Sequence, residues 1–550
     1  MAMLCVMAGA LLLSAPVRAQ TVIFTEDFEN NPNNASNGAK SFSGTGAIYT
    51  GANGQTYTAS PDWLNGAYCN GIVLSTNNSS APGWSLGNAK CSANNKSYDG
   101  VRNIARAIGD YLIQYEGRTA GTRDTNHILS SYSECLNGAC NATDGIGSGA
   151  TNGVMFRTAT PLNVTANRFY GVSAIMASVQ CATSVLPKPR FRWINGNNVA
   201  ADVGGVLDVC GNSTLYSYTN LQTGSQFPNP ININVKKIGP TQAIRNSTNK
   251  LTLILYNDEG RTNGNDGGFD NIVVTDITPS VSKNFSSTTL SSGATTSLSF
   301  TIRNTPEKYA KPSWSFTDTL PSGMSLANAT VVSDCTGVTT NAANDVTALA
   351  VSGSLDNGEE SCTVTVTVKI APNATGTLNN CGSNFTASAF VLPPAAASCA
   401  SVRVLPQLAV SKTSAPYWDP VNLTTNPKFI PGAYVNYIIS VSNPGHNVSP
   451  GSVMVMDSLP SQVSLCVVAT AQCSAPVVWN GGTSALTYTY TSLSSTSDDV
   501  AFSKDSIDWN YTPVALANGT DPLVRYIRVN PKGTMATTGA FSFILRALVK

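Results

Sequence analysis

The chain has 550 residues, and only 11% of them are charged, against roughly a quarter in ordinary soluble domains. Its 32 Lys and Arg nearly balance its 31 Asp and Glu, which argues against nucleic acids and anionic membranes as electrostatic partners. Ser, Thr, Asn and Gly are abundant instead, a composition typical of exported proteins that are rich in β-strands.

An apolar run from Met3 to Leu13 opens the chain, and Val17-Arg18-Ala19 follows it. This order predicts a secretory signal peptide over residues 1–19, with cleavage after Ala19. The run is too short to span a bilayer, and no later segment is long and apolar enough to do so. We therefore expect a secreted or envelope-surface protein without a transmembrane segment.

Residues 20–278 are predicted to form one β domain with long loops rich in Gly, Asn and Ser. Its strand candidates are Thr21–Glu29, Phe169–Val179, Arg190–Ile194, Lys250–Tyr256 and Gly268–Ile277. Apolar residues at helical spacing predict one short surface helix over Val101–Tyr111. The opening Asp-Phe-Glu and closing Asp-Asn-Ile motifs resemble the ends of concanavalin-like and carbohydrate-module jelly rolls. That resemblance implies a jelly-roll-like, ligand-binding sandwich whose terminal strands pair in one sheet.

The stretch from Gly293 to Leu326 recurs at Gly432 to Leu465, with a constant offset of 139 residues and no gap. In both copies, apolar and polar residues alternate as in a strand with one buried face. A second alternating run ends at Asp-x-Leu-Pro, where proline closes the strand. We interpret the recurring Asp318 and Asp457 as turn-fixing residues whose side chains accept backbone N–H groups of the following turn.

The pattern of strand, Asn, strand and Asp-x-Leu-Pro resembles the immunoglobulin-like "conserved repeat" domains of large bacterial surface proteins. The second copy carries it at Pro431-Gly432, Asn443, Asp457–Pro460 and Val529–Gly533. The first copy is similar to a sister family and begins with Lys283-Asn284-Phe285. The resemblance implies two immunoglobulin-like β-sandwich domains, over residues 279–404 and 405–550, and no enzymatic activity. The predicted fold class is therefore all-β, with a jelly-roll-like sandwich followed by these two domains.

Thirteen cysteines become twelve once Cys5 is removed with the signal peptide, and an even number in an exported chain predicts disulfides. The number of cysteines does not fix which of them pair with each other. Spacing proposes the local pairs Cys69–Cys91, Cys135–Cys140, Cys181–Cys210, Cys335–Cys362, Cys381–Cys399 and Cys466–Cys473. A zinc site is disfavoured, because the chain has no CxxC motif and only two His.

Oxygen-bearing residues at the two ends of the first domain suggest a structural calcium site. Glu26 and Asp27 lie on the opening strand, and Asp266 and Asp270 lie on the Gly-rich approach to the closing strand. Calcium prefers hard oxygen ligands. The alternative is a solvated turn in which these side chains cap backbone groups. No other cofactor is expected.

Several aromatic residues of the first domain are candidates for a sugar-stacking face, because a flat ring packs on the apolar face of a sugar. They are Trp63, Trp84, Tyr98, Trp193, Tyr216 and Tyr218. Trp193 is expected in the core, since apolar residues surround it. Trp63 and Trp84 lie in polar loops and are the preferred ligand-binding residues.

A catalytic site is not expected. A Ser-His-Asp triad would need His127 or His446, and neither has a recognisable partner motif. The sequence favours a non-enzymatic surface or adhesion-type protein whose first domain binds a glycan or a protein. The alternatives are a secreted polysaccharide-active enzyme with a catalytic first domain, and a structural spacer from a longer surface array. The ligand, the mode of anchoring and the oligomeric state do not follow from the sequence.

Overall fold

A computed structural model gives the structure of the protein. The residues it describes are 20–30, 40–41, 49–51, 54–60, 63, 70–76, 97–131, 153–179, 181, 186–220, 228–258, 266–372, 374–405, 408–444, 448 and 450–550. The fold is all-β, built from sandwiches of almost entirely antiparallel sheets, as the alternation of apolar and polar residues predicts. No helix in these ranges is both long enough and apolar enough to cross a membrane.

The first domain contains sixteen strands and one α-helix within its described residues. The strands are β1 (Thr21–Glu26), β2 (Lys40–Ser41), β3 (Tyr49–Thr50), β4 (Thr56–Thr58), β5 (Ile72–Ser75), β6 (His127–Ser131), β7 (Val154–Thr158), β8 (Leu162–Asn163), β9 (Arg168–Val179), β10 (Pro189–Asn195), β11 (Ala200–Val203), β12 (Thr214–Tyr218), β13 (Ile231–Ile238), β14 (Ile244–Asn246), β15 (Lys250–Asn257) and β16 (Gly267–Asp276). The helix is α1 (Ser97–Glu116), and a 3-10 turn follows it at Ala120–Arg123.

Two sheets form the sandwich of the first domain. One has the order β12-β13-β9-β16-β6-β5-β2, with β1 also paired to β16, and the other has the order β11-β10-β15-β7-β4-β3. The opening strand β1 runs antiparallel to the closing strand β16, and Thr21 is the register partner of Asp276. This confirms the expected pairing of the two ends of the domain. The jelly-roll connectivity stays a prediction.

The core of the first domain lies between the two sheets and is rich in aromatic side chains. Phe269 of one sheet and Phe156 of the other both pack against Phe28, with ring centroids 5.9 Å and 6.2 Å away. Phe28 follows β1 directly and has a positive φ of 54°, so the chain turns there to insert the ring between the sheets. Phe28 therefore fixes the segment after β1 against both sheets.

Helix α1 is longer and more buried than the short surface helix predicted from the sequence. It covers the outer face of the larger sheet, where Ile104, Ile108 and Leu112 pack against Ile175 and Ile233. Spacings of three and four residues place these side chains on one face of the helix. The sheet supplies the partner for that face, so strand β9 is buried on both sides and the domain has three layers.

The second domain is an immunoglobulin-like sandwich. Its strands are β17 (Ser280–Phe285), β18 (Thr289–Ser291), β19 (Thr295–Arg303), β20 (Lys311–Thr319), β21 (Met324–Ser333), β22 (Thr336–Thr340), β23 (Ala348–Leu355), β24 (Ser361–Ile370), β25 (Gly376–Cys381), β26 (Phe385–Ala389) and β27 (Cys399–Leu405), with a 3-10 turn at Gly382–Asn384. The sheets have the orders β17-β19-β24-β21, β22-β23-β20-β26 and β18-β27-β25. The first order matches the four-stranded sheet of the immunoglobulin fold.

The third domain repeats this design. Its strands are β28 (Ala409–Trp418), β29 (Tyr434–Ser442), β30 (Val455–Ser458), β31 (Val463–Cys466), β32 (Val478–Asn480), β33 (Val500–Ser503), β34 (Thr520–Asp521), β35 (Tyr526–Val529) and β36 (Ala540–Val549). They form sheets of order β28-β29-β36-β31-β34 and β30-β35-β33, and β32 pairs with β36. Gly293 and Gly432 precede equivalent strands, and both have a positive φ, 77° and 84°, that favours glycine.

The first and second domains share one hydrophobic core. Phe169 and Ile277 of the first domain belong to the same cluster of buried residues as the interior of the second domain. The ring of Phe169 lies 5.4 Å from that of Phe390, and Arg245 lies 3.6 Å from the centroid of Phe390. Strand β17 of the second domain begins at Ser280, shortly after β16 of the first domain ends at Asp276. The two domains are therefore packed together and not loosely tethered.

Four of the six disulfides proposed from spacing are confirmed. They are Cys181–Cys210, Cys335–Cys362, Cys381–Cys399 and Cys466–Cys473. The other four cysteines, Cys69, Cys91, Cys135 and Cys140, lie outside the described residues. Each confirmed bridge joins two cysteines of the same domain, as local spacing predicted.

Candidate functional sites

Four tyrosines meet where helix α1 lies beside the edge strand β12, and we call this surface the tyrosine patch. Tyr111 and Tyr115 are one helical turn apart, and their ring centroids lie 4.6 Å apart. Tyr216 and Tyr218 are two residues apart on a strand and therefore project to the same side. Their rings are nearly parallel, with an interplanar angle of 7° and centroids 6.4 Å apart.

Hydrogen bonds from neighbouring polar side chains hold these rings in place. Tyr218 donates its hydroxyl to Asp110 Oδ2 at 2.5 Å, and Tyr216 donates its hydroxyl to Gln114 Oε1 at 3.0 Å. Arg106 lies 4.6 Å from the centroid of the Tyr218 ring. Tyr218 is buried, whereas Tyr115 is 54% exposed. The patch therefore combines an anchored inner ring with accessible outer rings.

The charge state of the patch follows from its burial. Desolvation, with smaller effects from Tyr115 and Asp110, raises the pKa of Tyr216 to about 12. Its hydroxyl consequently stays protonated at neutral pH and remains a hydrogen-bond donor. Flat rings bordered by amide, carboxylate and hydroxyl groups are the combination that a sugar requires. Tyr216 and Tyr218 belong to the aromatic set that the sequence singled out, and α1 adds Tyr111 and Tyr115, which sequence reasoning missed.

The structure describes only one of the two tryptophans that the sequence predicts to bind a ligand. Trp63 is fully buried among the core residues of the first domain, so no face of its ring is open to a ligand. The burial of Trp63 could not be predicted from its polar neighbours in sequence, because its apolar contacts come from the surrounding sheets. Trp84 and the side chain of Tyr98 lie outside the described residues. Trp193 is partly buried against the core, in line with its expected structural role.

The four residues proposed for calcium make other contacts. Glu26 is buried and accepts the backbone N–H of Phe28 at 2.7 Å, and Asp270 is buried and accepts Nδ2 of Asn126 at 2.8 Å. In the described part of the chain, no three His, Cys, Asp or Glu side chains are grouped to hold a metal ion. The calcium site stays a prediction. It would be tested by measuring the melting temperature at increasing calcium concentrations, with the variant that carries Asp266→Asn and Asp270→Asn as the reference.

Burial changes the acidity of both carboxyl groups. Desolvation raises the pKa of Glu26 to about 7, against the lowering effect of hydrogen bonds from Tyr57 and Phe28. Desolvation also raises the pKa of Asp270 well above its usual range, although Asn126 donates to it. Arg118 in turn donates to Asn126 Oδ1 at 3.0 Å. The bonds of Asn126 to Asp270 and Arg118 tie the closing strand to the segment after α1.

His127 is part of the same buried region. Its backbone N–H and its Nδ1 both contact the carboxylate of Glu29, at 2.9 Å each. Its Nε2 is buried and makes no hydrogen bond to any described residue. A serine protease-like triad needs a hydroxyl at that nitrogen. Among the described residues no hydroxyl group hydrogen-bonds to that nitrogen, and His446 lies outside them.

Comparison with known protein families gives one match. Residues 279–402 match the family model of a domain of unknown function, DUF7933. The second domain thus has a family match of its own. That match spans well under half of the chain, and no curated protein is significantly similar to the chain in sequence.

Among solved structures, the chain is similar to the N-terminal domain of the Streptococcus gordonii adhesin Sgo0707. That similarity has 11% identity and a TM-score of 0.21, and covers 51% of this chain and 74% of the adhesin chain. A second similar structure is that of a membrane-anchored protein from Corynebacterium diphtheriae, with 12% identity and a TM-score of 0.14 over 72% of this chain and 83% of that one.

In the domain that matches DUF7933, the recurring Asp318 has a different role from the turn-fixing one predicted. It is fully buried, and its carboxylate accepts Lys283 Nζ at 2.5 Å and Asn380 Nδ2 at 2.6 Å. In the third domain, Asp457 accepts Lys412 Nζ at 2.7 Å and 2.8 Å. The turn prediction was wrong because it considered only neighbours in sequence, whereas each partner lysine lies on the first strand of its domain.

Proposed function

We propose that the chain is an exported, non-enzymatic bacterial surface protein whose first domain binds a glycan through the tyrosine patch. The observation that carries this proposal is the convergence of Tyr111, Tyr115 and Tyr216 around the buried ring of Tyr218. Aromatic faces stack on the C–H faces of sugars, and the neighbouring Asp110 and Gln114 offer acceptors for sugar hydroxyls.

Export is supported by the disulfides, which persist in oxidising compartments and are rare in the cytosol. Four bridges occur among the described residues, and at least one lies in each domain. The predicted signal peptide over residues 1–19 agrees with export. The second and third domains would then present the first domain at the cell envelope.

The test is a glycan-array screen of residues 20–550, followed by affinity measurements on any sugar that binds. Tyr115→Ala and Tyr216→Ala should each weaken binding about five- to tenfold, since loss of a stacking ring removes a contact worth roughly 1–1.5 kcal/mol. Leu215→Ala is the matched control, because Leu215 is exposed on the same strand but projects to the opposite side.

Thermal unfolding of each variant separates a binding defect from a folding defect. Binding that survives both tyrosine substitutions would contradict the proposal, and so would equal losses in the Leu215→Ala control. If no glycan binds but a protein partner does, and Tyr115→Ala weakens that complex, the patch would be a protein-binding surface instead.

A further inference from the structure

Three buried polar side chains of the second domain, each from a different strand, meet inside its core. Lys283 lies on β17, Asp318 on β20 and Asn380 on β25. The side chains of Lys283 and Asp318 are 2% and 0% exposed, and Asn380 is fully buried as well. Such a cluster costs free energy to bury, so its presence calls for a reason other than packing.

The three side chains form a closed ring of contacts. Lys283 Nζ donates to Asp318 Oδ1 at 2.5 Å and to Asn380 Oδ1 at 2.6 Å. Asn380 Nδ2 in turn donates to Asp318 Oδ2 at 2.6 Å. Because Oδ1 and Nδ2 of Asn380 are both bonded to its Cγ, the lysine nitrogen lies beside the amide carbon, and the carboxylate lies beside the amide nitrogen. A nucleophile, a proton acceptor and a leaving group are therefore held together.

Aromatic side chains surround the lysine nitrogen. The centroid of the Phe385 ring lies 4.4 Å from Lys283 Nζ, and this ring packs against those of Phe300 and Phe316. Desolvation lowers the pKa of Lys283, although the hydrogen bond and the charge of Asp318 act in the opposite direction. The neutral amine, whose lone pair can attack a carbonyl carbon, is therefore more populated here than in an exposed lysine.

We propose that the side chains of Lys283 and Asn380 become joined by an intramolecular isopeptide bond, with Asp318 as the catalytic residue that moves the protons. The bond joins β17 to β25 across a sequence separation of 97 residues. A covalent link over such a distance restricts the unfolded chain as a disulfide does, and reducing agents do not break it. The second domain is thereby stabilised independently of its two disulfides.

The reaction balances without an oxidant, a reductant or a cofactor. Asp318 accepts a proton from the ammonium group of Lys283, and the lone pair of the neutral amine then forms a bond to Cγ of Asn380. Asp318 relays a second proton from the attacking nitrogen to Nδ2, the bond between Cγ and Nδ2 breaks, and ammonia leaves. The products are a secondary amide, one ammonia molecule and a neutral Asp318. Total charge is conserved, because Lys283 and Asp318 begin with opposite charges.

The strand that carries Asn380 is fixed in the fold and also supplies a control position. Cys381 follows directly and forms a disulfide with Cys399 on β27. Successive side chains of a strand point to opposite faces, and Asn379 is accordingly exposed. The same amide group therefore occurs twice in succession, once on the surface and once in contact with Lys283.

Peptide mapping of residues 20–550 by mass spectrometry tests the proposal on the unsubstituted chain. Digestion of the reduced and alkylated protein should give one branched species that contains both Lys283 and Asn380. Its mass should be lower than that of the two separate peptides together by one ammonia molecule. An N-terminal Gln20 can also lose ammonia by cyclising, so the branched species decides, and not the intact mass. Recovery of Lys283 and Asn380 only in separate, unmodified peptides of the folded protein would overturn the proposal.

Single substitutions separate the roles of the three residues. Lys283→Met removes the nucleophile and Asp318→Asn removes the proton acceptor, so the branched species should be lost completely in both variants. Asn379→Ala is the matched control and should form the branched species to the same extent as the parent chain. A link that persists in Asp318→Asn would overturn the catalytic role of Asp318, and a link that persists in Lys283→Met would overturn the assignment of the bond.

Electrophoresis of the reduced and denatured chain gives a second readout that does not depend on how well each variant folds. A closed loop keeps the denatured chain compact, so the parent chain and Asn379→Ala should migrate faster than Lys283→Met and Asp318→Asn. Equal mobility of all four proteins, together with separate Lys283 and Asn380 peptides, would show that the bond does not form.

Discussion

Lys283 Nζ lies 2.5 Å from Asp318 Oδ1 in a buried ion pair of the second domain. Lys412 and Asp457 form the same pair in the third domain. Lys283 is the register partner of Phe300, and Lys412 is the register partner of Ile439. Phe300 and Ile439 are separated by the repeat offset of 139 residues, so the two lysines are structurally equivalent. The repeat thus preserves an ion pair, with different degrees of burial.

Replacement of each aspartate by asparagine should separate the buried pair from the exposed one. Asp318→Asn leaves the charge of Lys283 buried without a counter-ion and should destabilise the second domain by about 3–5 kcal/mol. Asp457→Asn should cost no more than about 1 kcal/mol, because Lys412 keeps water as a partner. Urea unfolding, with hydrogen exchange to assign each transition to a domain, measures both. Equal effects would mean that burial does not control the cost.

The stability of the first domain should fall as the pH rises from about 4.5 to about 7. Burial raises the pKa of Glu26 to about 7 in the folded state, so between these values the folded state binds a proton that the unfolded state has lost. The slope from this group approaches roughly 1.4 kcal/mol per pH unit. Glu26→Gln should remove this component. Identical pH profiles for the two proteins in urea unfolding would contradict the prediction.

Loss of the Cys335–Cys362 bridge should destabilise the second domain. The bridge closes a loop with a sequence separation of 27 residues, and removal of a native disulfide typically costs about 2–5 kcal/mol. The double variant Cys335→Ala with Cys362→Ala should therefore have a lower melting temperature than the parent chain.

Mass spectrometry of the non-reduced protein should recover the four described bridges, and free thiols at those cysteines or bridges between domains would refute the assignment.

Phe390→Ala should weaken the coupling between the first and second domains. Phe390 contacts Phe169 and Arg245 across the boundary, and truncation of a buried Phe costs about 3–5 kcal/mol. Calorimetry should then resolve separate transitions for two domains that unfold together in the parent chain. Phe429→Ala, at an exposed ring of the third domain, is the control and should change neither transition. A single unchanged transition in Phe390→Ala would show that the shared core does not couple the domains.

The class of fold and much of the local structure follow from the amino-acid sequence alone. Alternation with a period of two located the strands Thr295–Arg303 and Tyr434–Ser442 of the repeat, because a strand exposes its two faces in turn. The constant offset of 139 residues established two copies of one domain. The spacing of cysteines identified four bridges, since each joins residues within one domain. These features depend on neighbours in sequence or on direct self-comparison.

The packing partner of each surface becomes known only from the folded structure. Periodicity shows which side of α1 is apolar, but the sheet beneath it buries that side, and the same helix brings Tyr115 beside Tyr216. Asp318 and Asp457 recur in the sequence, yet their lysine partners lie 35 and 45 residues away on other strands. Such contacts join residues far apart in the chain, so their geometry, and the burial that sets their energy, exist only once the sheets have formed.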